Sequence, residues 1–191
     1  VGGIPYQKRE QRVRLFASPD EIEKMINVLD NPKHKLMLSL LYASGVRVSE
    51  LVSIKIQDID LQKRLLTVRQ GKGNKDRYTI LSMKVVEQIK NYTPTYSSES
   101  NYLFASSDGH ITIRTVEEVL KQACHKAKIK IALTPHSLRH SFATHHMEDG
   151  TKTEYIQQML GHKDIRTTRI YEHISTKHLE KIRSPQDNHF V

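Results

Sequence analysis

The segment Leu36–Val46, LMLSLLYASGV, constrains the fold more than any other part of the chain. Leu36, Met37, Leu38, Leu40 and Leu41 lie nearly all round a helix running from about His34 to Ser44. A helix apolar on every side must be enclosed by other elements. It is too short to span a bilayer, so the enclosing medium is protein. Gly45 stands where a helix C-cap belongs. The neighbours that could wrap this helix are visible on both sides. Ser18-Pro19-Asp20-Glu21 forms a capping box with proline at the first helical position, and Ile22, Met25, Ile26 and Leu29 follow at helical spacing. Ser49 to Ser53 reads as a short helical turn.

Between Ile54 and Leu81 the pattern turns to strand. Ile54, Ile56, Ile59 and Leu61 alternate loosely, and Leu65–Val68 and Tyr78–Leu81 are β-prone, with the turn GKGNKDR between those two runs. This predicts a small three-stranded antiparallel sheet with a basic hairpin tip. Helices resume at Ser82–Tyr92 and Thr115–Lys128, then at about 136–149, 153–160 and 165–172, with a last short one over Thr176–Arg183. The expected class is mainly α with a small three-stranded antiparallel sheet (α+β). The expected boundaries are a basic arm or inter-domain linker at 1–17, one domain at 18–174, and a C-terminal helix and tail at 175–191.

Charge narrows the partners. Thirty Lys and Arg against 21 Asp and Glu leave a net charge of +9 over 191 residues, which favours a polyanion. Between Glu118 and Glu148 no acidic residue occurs, while Lys121, Lys126, Lys128, Lys130 and Arg139 do, with histidines among them. A one-sign stretch of this length suits phosphates. A single cysteine, Cys124, excludes an internal disulfide framework, and no start resembling a signal peptide is present. A cytoplasmic, prokaryotic, nucleoid-associated protein with no membrane association is expected.

The densest chemistry lies in TPHSLRHSFATHHMEDG and MLGHKDIRTTRIYEH. His136 and Arg139, three apart, share a helix face and together suit the non-bridging oxygens of a phosphate. Taken alone, H-x-x-R is weak, since a surface histidine and an arginine in a salt bridge are the commoner outcome. The histidines His136, His140, His145, His146 and His162 also raise a zinc site, but a His-only structural site without cysteine or a placed carboxylate is uncommon. No metal and no cofactor are expected.

Taken together, these segments resemble the tyrosine recombinase family, of the Xer-like, phage-integrase type, over nearly the whole chain from Ser18 to about Ile174. The resemblance rests on SGVRVSEL with Arg47 and Glu50, GKGNKDR with Lys72, HSLRHSFATH with His136 and Arg139, and LGHKDIRTTRIY with His162 and Tyr171. It implies that Arg47 and Arg139 clamp the scissile phosphate of DNA and that Tyr171 attacks it, giving a 3′-phosphotyrosyl link. His136 would take the tyrosine proton, His162 would bond the phosphate, and Lys72 would protonate the leaving 5′ oxygen. Glu50 would orient Arg47, His140 would support the site by packing, and Lys75, Arg77 and Arg14 would contact the DNA backbone. The family implies site-specific recombination through a Holliday junction, for chromosome dimer resolution or mobile-element integration. It also implies a tetramer on two double-stranded DNA sites and a further N-terminal DNA-binding domain. Rival readings are a relaxing type IB topoisomerase, a non-catalytic DNA-binding module and a zinc-dependent hydrolase. The tail beyond Ser175, with only Leu179 and Ile182 apolar on a short helix, is expected to pack on a neighbouring protomer.

The role implied for Lys72 has its own chemical test. An alkoxide leaving group needs a proton, whereas a thiolate hardly does. Lys72→Ala should slow cleavage of an ordinary phosphodiester by roughly 10²–10⁴-fold and recover most of that loss on a substrate with sulfur at the bridging 5′ position. Arg139→Ala should not be rescued. Equal defects of Lys72→Ala on both substrates would place the acid elsewhere.

Overall fold

Asn31 starts the central helix. Its side chain accepts the Lys33 amide at 2.8 Å, Pro32 occupies the first turn, and α2 runs Pro32–Ser44 until Gly45 stops it at φ 63°. In this computed structural model, which describes residues 16–71, 75–92, 100–107, 109–161 and 179–190, every residue of α2 from Leu36 to Ser44 is buried. Leucines with no exposed surface, as Leu36, Leu38, Leu40 and Leu41 are, stabilise by about 1.5–3 kcal/mol each. The enclosure that its composition demands is supplied by most of the molecule.

α1 (Pro19–Asn27) opens with the Ser18/Glu21 capping box and lays Ile22, Met25 and Ile26 inward. α3 (Val48–Val52) follows α2 directly. A 3-10 turn, Ile56–Asp58, then leads to β1 (Ile59–Asp60), β2 (Leu65–Gly71) and β3 (Lys75–Ile80), an antiparallel sheet in the order β1-β2-β3. The register pairs Leu65 with Ile80 and Val68 with Arg77, and it shifts between Val68 and Gly71. α4 (Met83–Tyr92), a two-stranded ribbon of β4 (Ala105–Ser106) and β5 (Gly109–His110), α5 (Ile113–Lys126), α6 (Pro135–Glu148) and α7 (Thr153–Leu160) come next, and α8 (Pro185–His189) is last among the described residues. α2 touches α1, α3, α4, α5, α6, α8 and β3. No helix among the described residues is long and apolar enough to cross a membrane.

The class is therefore mainly helical with a small three-stranded antiparallel sheet. Local differences have physical causes. The loose alternation from Ile54 to Leu61 yields only a two-residue strand, because Asp58 accepts the Lys55 amide and folds the chain into a turn. The β4–β5 ribbon has strands of two residues, too short to leave a period in the sequence. The helix expected at 165–172 lies outside the described residues, as do 1–15 of the arm.

Residues 179–190 lie against the rest of this chain, with a helix at Pro185–His189 within the polar stretch, while 176–178 of the helix expected at Thr176–Arg183 lie outside the described residues. Two apolar residues would bury little, but the polar ones each find a partner. Ser184 Oγ donates to the Ala43 carbonyl at 3.1 Å, Gln186 bonds Ser82, and Asp187 accepts the Met83 amide at 2.8 Å. Asn188 and His189 meet Asp149 at 2.9 and 3.1 Å, and Phe190 stacks on Tyr42 with ring centroids 5.8 Å apart. Leu179 has no exposed surface. Leu179→Ala should cost about 2–5 kcal/mol in urea unfolding of the dilute monomer. An unchanged midpoint at every protein concentration would mean that this tail does not belong to its own core.

Candidate active site

Three helix ends converge around one guanidinium. Thr134 caps α6 in a reciprocal box with Ser137, and Pro135 starts the helix. This sets Arg139 one turn in, facing the C-terminal ends of α2 and α7. Its Nη1 donates to the Gly45 carbonyl at 2.5 Å and its Nη2 to the Leu160 carbonyl at 2.6 Å. Both acceptors are carbonyls at helix C-termini, which no intrahelical amide satisfies. Gly45 also makes the approach possible, since a Cβ there would lie 2.5 Å from the Phe142 ring. Arg139 is only 5% exposed, and no carboxylate pairs with it among the described residues. Burial, with Arg47 and Arg77 nearby, lowers its pKa to about 10, so it remains a cation at neutral pH.

Glu50 is the counter-charge of the cluster. Its carboxylate accepts from Arg47 twice, from the backbone amide at 2.7 Å and from Nη1 at 2.9 Å. Arg77 grips the same carboxylate with both terminal nitrogens, each at 2.7 Å, and its Nε donates to the Met159 carbonyl at 2.8 Å. Burial pushes the Glu50 pKa up, but the bonds from Arg77 and Arg47 outweigh it and hold it near 2. One carboxylate thus bonds two guanidiniums, and its charge also acts on the third, Arg139. The Arg47 side chain keeps 44% of its surface exposed, at the mouth of the cluster.

His136 is exposed on the first turn of α6, three residues before Arg139. His140 is exposed too and meets Phe16 edge-on at 5.7 Å, so it packs against the start of the described chain. Arg77, expected on the DNA backbone, has a side chain that is 9% exposed and a fork that bonds Glu50. Strand alternation explains this, because Arg77 shares a face of β3 with Thr79, which is fully buried and donates to the Ser44 carbonyl at 2.6 Å. That alternation was readable had the strand been extended back to Lys75. Lys75 pairs with Gly71 through its backbone. Lys72, His162, Tyr171 and Arg14 lie outside the described residues.

Sequence reasoning also missed a buried polar contact beside the tail. Tyr42 Oη and His145 Nδ1 are 2.9 Å apart, and His146 Nδ1 meets Thr151 at 3.0 Å. Burial lowers the His146 pKa to about 4, so it is neutral at pH 7. Among the described residues no group of three or more His, Cys, Asp or Glu is placed to hold a metal.

The depressed Glu50 pKa has a sign that can be read out. A carboxylate held below its ordinary value contributes stability above about pH 4.5, and that contribution is lost as pH falls toward 2. Glu50→Gln should be less stable than the parent at pH 7, and the gap should narrow between pH 4.5 and 2. A constant gap across that window, measured by urea unfolding, would contradict the pairing.

Residues 16–178 match the model of the phage integrase family. Tyrosine recombinase XerA of Pyrococcus horikoshii is 42% identical over 166 residues, covering 85% of this chain and 58% of XerA. XerD of Staphylococcus saprophyticus is 38% identical, covering 85% of this chain and 60% of XerD. The chain thus spans under two thirds of the length of these relatives. Among solved structures, a XerA recombinase superposes with a TM-score of 0.75 at 34% identity, over 89% of this chain and 64% of that one. XerH bound to its difH substrate superposes with a TM-score of 0.69 at 22% identity, over 88% of this chain and 53% of that one, which shows a shared fold. With a family model covering most of its length and a solved relative sharing its fold, this chain belongs to the phage integrase family of tyrosine recombinases.

Proposed function

We propose that this domain is the catalytic part of a site-specific recombinase that cleaves and rejoins DNA strands. The observation that carries the reading is Arg139, a buried guanidinium with no carboxylate partner among the described residues, next to the half-exposed Arg47. A phosphodiester is a poor electrophile, and catalysis of its transfer is mainly the placement of positive charge around phosphorus. Arg139, fixed on two carbonyls, and Arg47, fixed on Glu50, supply such charge before any ligand arrives.

The reaction uses residues beyond the described ones. The Tyr171 oxygen attacks phosphorus, its proton passes to His136, and the bond from phosphorus to the 5′ oxygen breaks. Lys72 protonates that oxygen. The product is a 3′-phosphotyrosyl link and a 5′-hydroxyl, and rejoining is the reverse with a new 5′-hydroxyl as nucleophile. The bond energy is kept in the ester, so neither ATP nor a metal is required. His162 bonds the same phosphate.

The partner is double-stranded DNA at a specific site, in line with the structurally similar XerH, which is bound to its difH substrate. Exposed Lys121, Lys126, Lys128 and Lys130 place further positive charge on the same chain segment that enters α6. Lys75 and Arg14 are assigned to the DNA backbone. The working assembly is a tetramer on two sites, exchanging strands through a Holliday junction with an N-terminal DNA-binding domain of the same protein. Chromosome dimer resolution and mobile-element integration or excision are the two roles that fit.

The nucleophile tests the whole scheme. The probe is a duplex selected from a random-sequence library by binding to the protein, then nicked a few nucleotides 3′ of each candidate phosphate. Tyr171→Phe should bind this duplex as the parent does but form no covalent adduct on denaturing gels. Tyr155→Phe, altered at a partly buried tyrosine packed on the core, should still form it. An adduct that persists in Tyr171→Phe would assign the attack to another residue.

A further inference from the structure

We propose that Arg77 is a positioning residue for strand cleavage, which locks Arg47 through Glu50 and ties the β2–β3 hairpin to the end of α7. The inference rests on the recombinase reading above. Its basis is the geometry of one side chain. Arg77 has its Nη1 and Nη2 on the two oxygens of Glu50 and its Nε on the Met159 carbonyl. A planar fork matched to a carboxylate fixes orientation as well as distance. Glu50 so held presents its Oε1 to Arg47 Nη1 and its Oε2 to the Arg47 amide. The rotamer of Arg47 is thus set two hydrogen bonds away, by a residue whose own donors are on Glu50 and Met159.

The second link joins elements. Arg77 stands on β3, the strand that leads out of the turn carrying Lys72. Met159 and Leu160 end α7, whose last carbonyl holds Arg139. Gly161 follows at φ 66°, and a Cβ there would meet Arg77 Cδ at 2.8 Å, so the glycine admits the arginine against the turn. The contact therefore sets the spacing between the hairpin, the Arg47 loop and the α7 end. Misplacement of about 1 Å away from the reacting atoms costs on the order of 10²-fold in rate.

Lysine at this position keeps the charge but loses the fork and the Nε donor. With the selected nicked duplex at saturation, Arg77→Lys should form the Tyr171 adduct roughly 10²-fold more slowly in a single turnover. Its affinity for the duplex, and the slope of that affinity against salt, should match the parent's. Glu50→Gln should show the same split, and the double variant should be no slower than the slower single one, because both act through one carboxylate. Gly161→Ala displaces the same side chain without removing its charge, and it too should lose rate while keeping affinity, which covers the case that Arg77→Lys fails to fold.

An Arg77 that grips the DNA backbone gives a different pattern. In Arg77→Gln, which removes the charge, affinity falls and the salt slope drops by about one, where the positioning role keeps the parental slope, and the losses of Arg77→Lys and Glu50→Gln add. That pattern, or a parental rate in Arg77→Lys, overturns the proposal. A parent protein that forms no adduct overturns the recombinase reading and this inference with it, whereas an active parent beside an unaffected Arg77→Lys overturns the inference alone.

Discussion

The buried guanidinium of Arg139 is the contact on which the architecture around the site depends. It bridges the C-terminal carbonyls of α2 and α7 from a third helix, α6. Removing a charge from water is costly unless it is bonded, and two helix-end carbonyls are good partners because they carry partial negative charge and lack amides of their own. The bridge therefore satisfies both sides, charge and carbonyl, and fixes three helix axes at one point. It does so without neutralising the cation. The local field stays positive, and an anion arriving there would add the missing compensation. Ligand binding to the folded form alone would then stabilise the fold as well as prepare the chemistry.

The central helix explains why that point is rigid. α2 is buried on every side from Leu36 to Ser44, so its end cannot shift without moving the core. Gly45 converts this burial into position. Its left-handed backbone ends the helix and turns the carbonyl toward Arg139, and the lack of a Cβ lets Phe142 of α6 press against it. Two residues further on, Arg47 begins α3 and places its guanidinium at the mouth of the cluster. Core packing and charge placement are thus joined within three residues of sequence.

The fold was legible where one signal acted alone. The Ser18/Glu21 box and Gly45 each mark a helix boundary by local chemistry, and both stand where those signals put them. The hairpin was readable from two β-prone runs around a glycine-rich turn. Signals failed where tertiary partners decided the outcome. Nothing local shows that Gln186 meets Ser82 or that Asn188 and His189 meet Asp149, so these contacts were not legible in the sequence. Arg77 read as a DNA contact for the same reason, since a basic residue beside a hairpin tip ordinarily faces solvent. Its partner, Glu50, is 27 residues away in sequence. Arg47, Glu50 and Arg139 were legible as a set only through the spacing of whole motifs, because each alone is an ordinary surface pair.

Glu50 accounts for the arrangement of charge better than any of the arginines. Without a carboxylate, three guanidiniums this close would repel one another and open the loop that bears Arg47. With a second carboxylate, the cluster would be neutral and have little attraction for phosphate. One acid among three bases is the intermediate case, in which the bases are held together but remain in excess. The division of labour follows from burial. Arg77 is spent on the acid, Arg139 is spent on carbonyls that leave its charge intact, and Arg47 shares the acid while keeping its outer surface exposed. The residue most open to solvent is therefore also the one whose orientation is most dependent on its neighbours, which is the condition an incoming phosphate requires of a clamp that must be set before it closes.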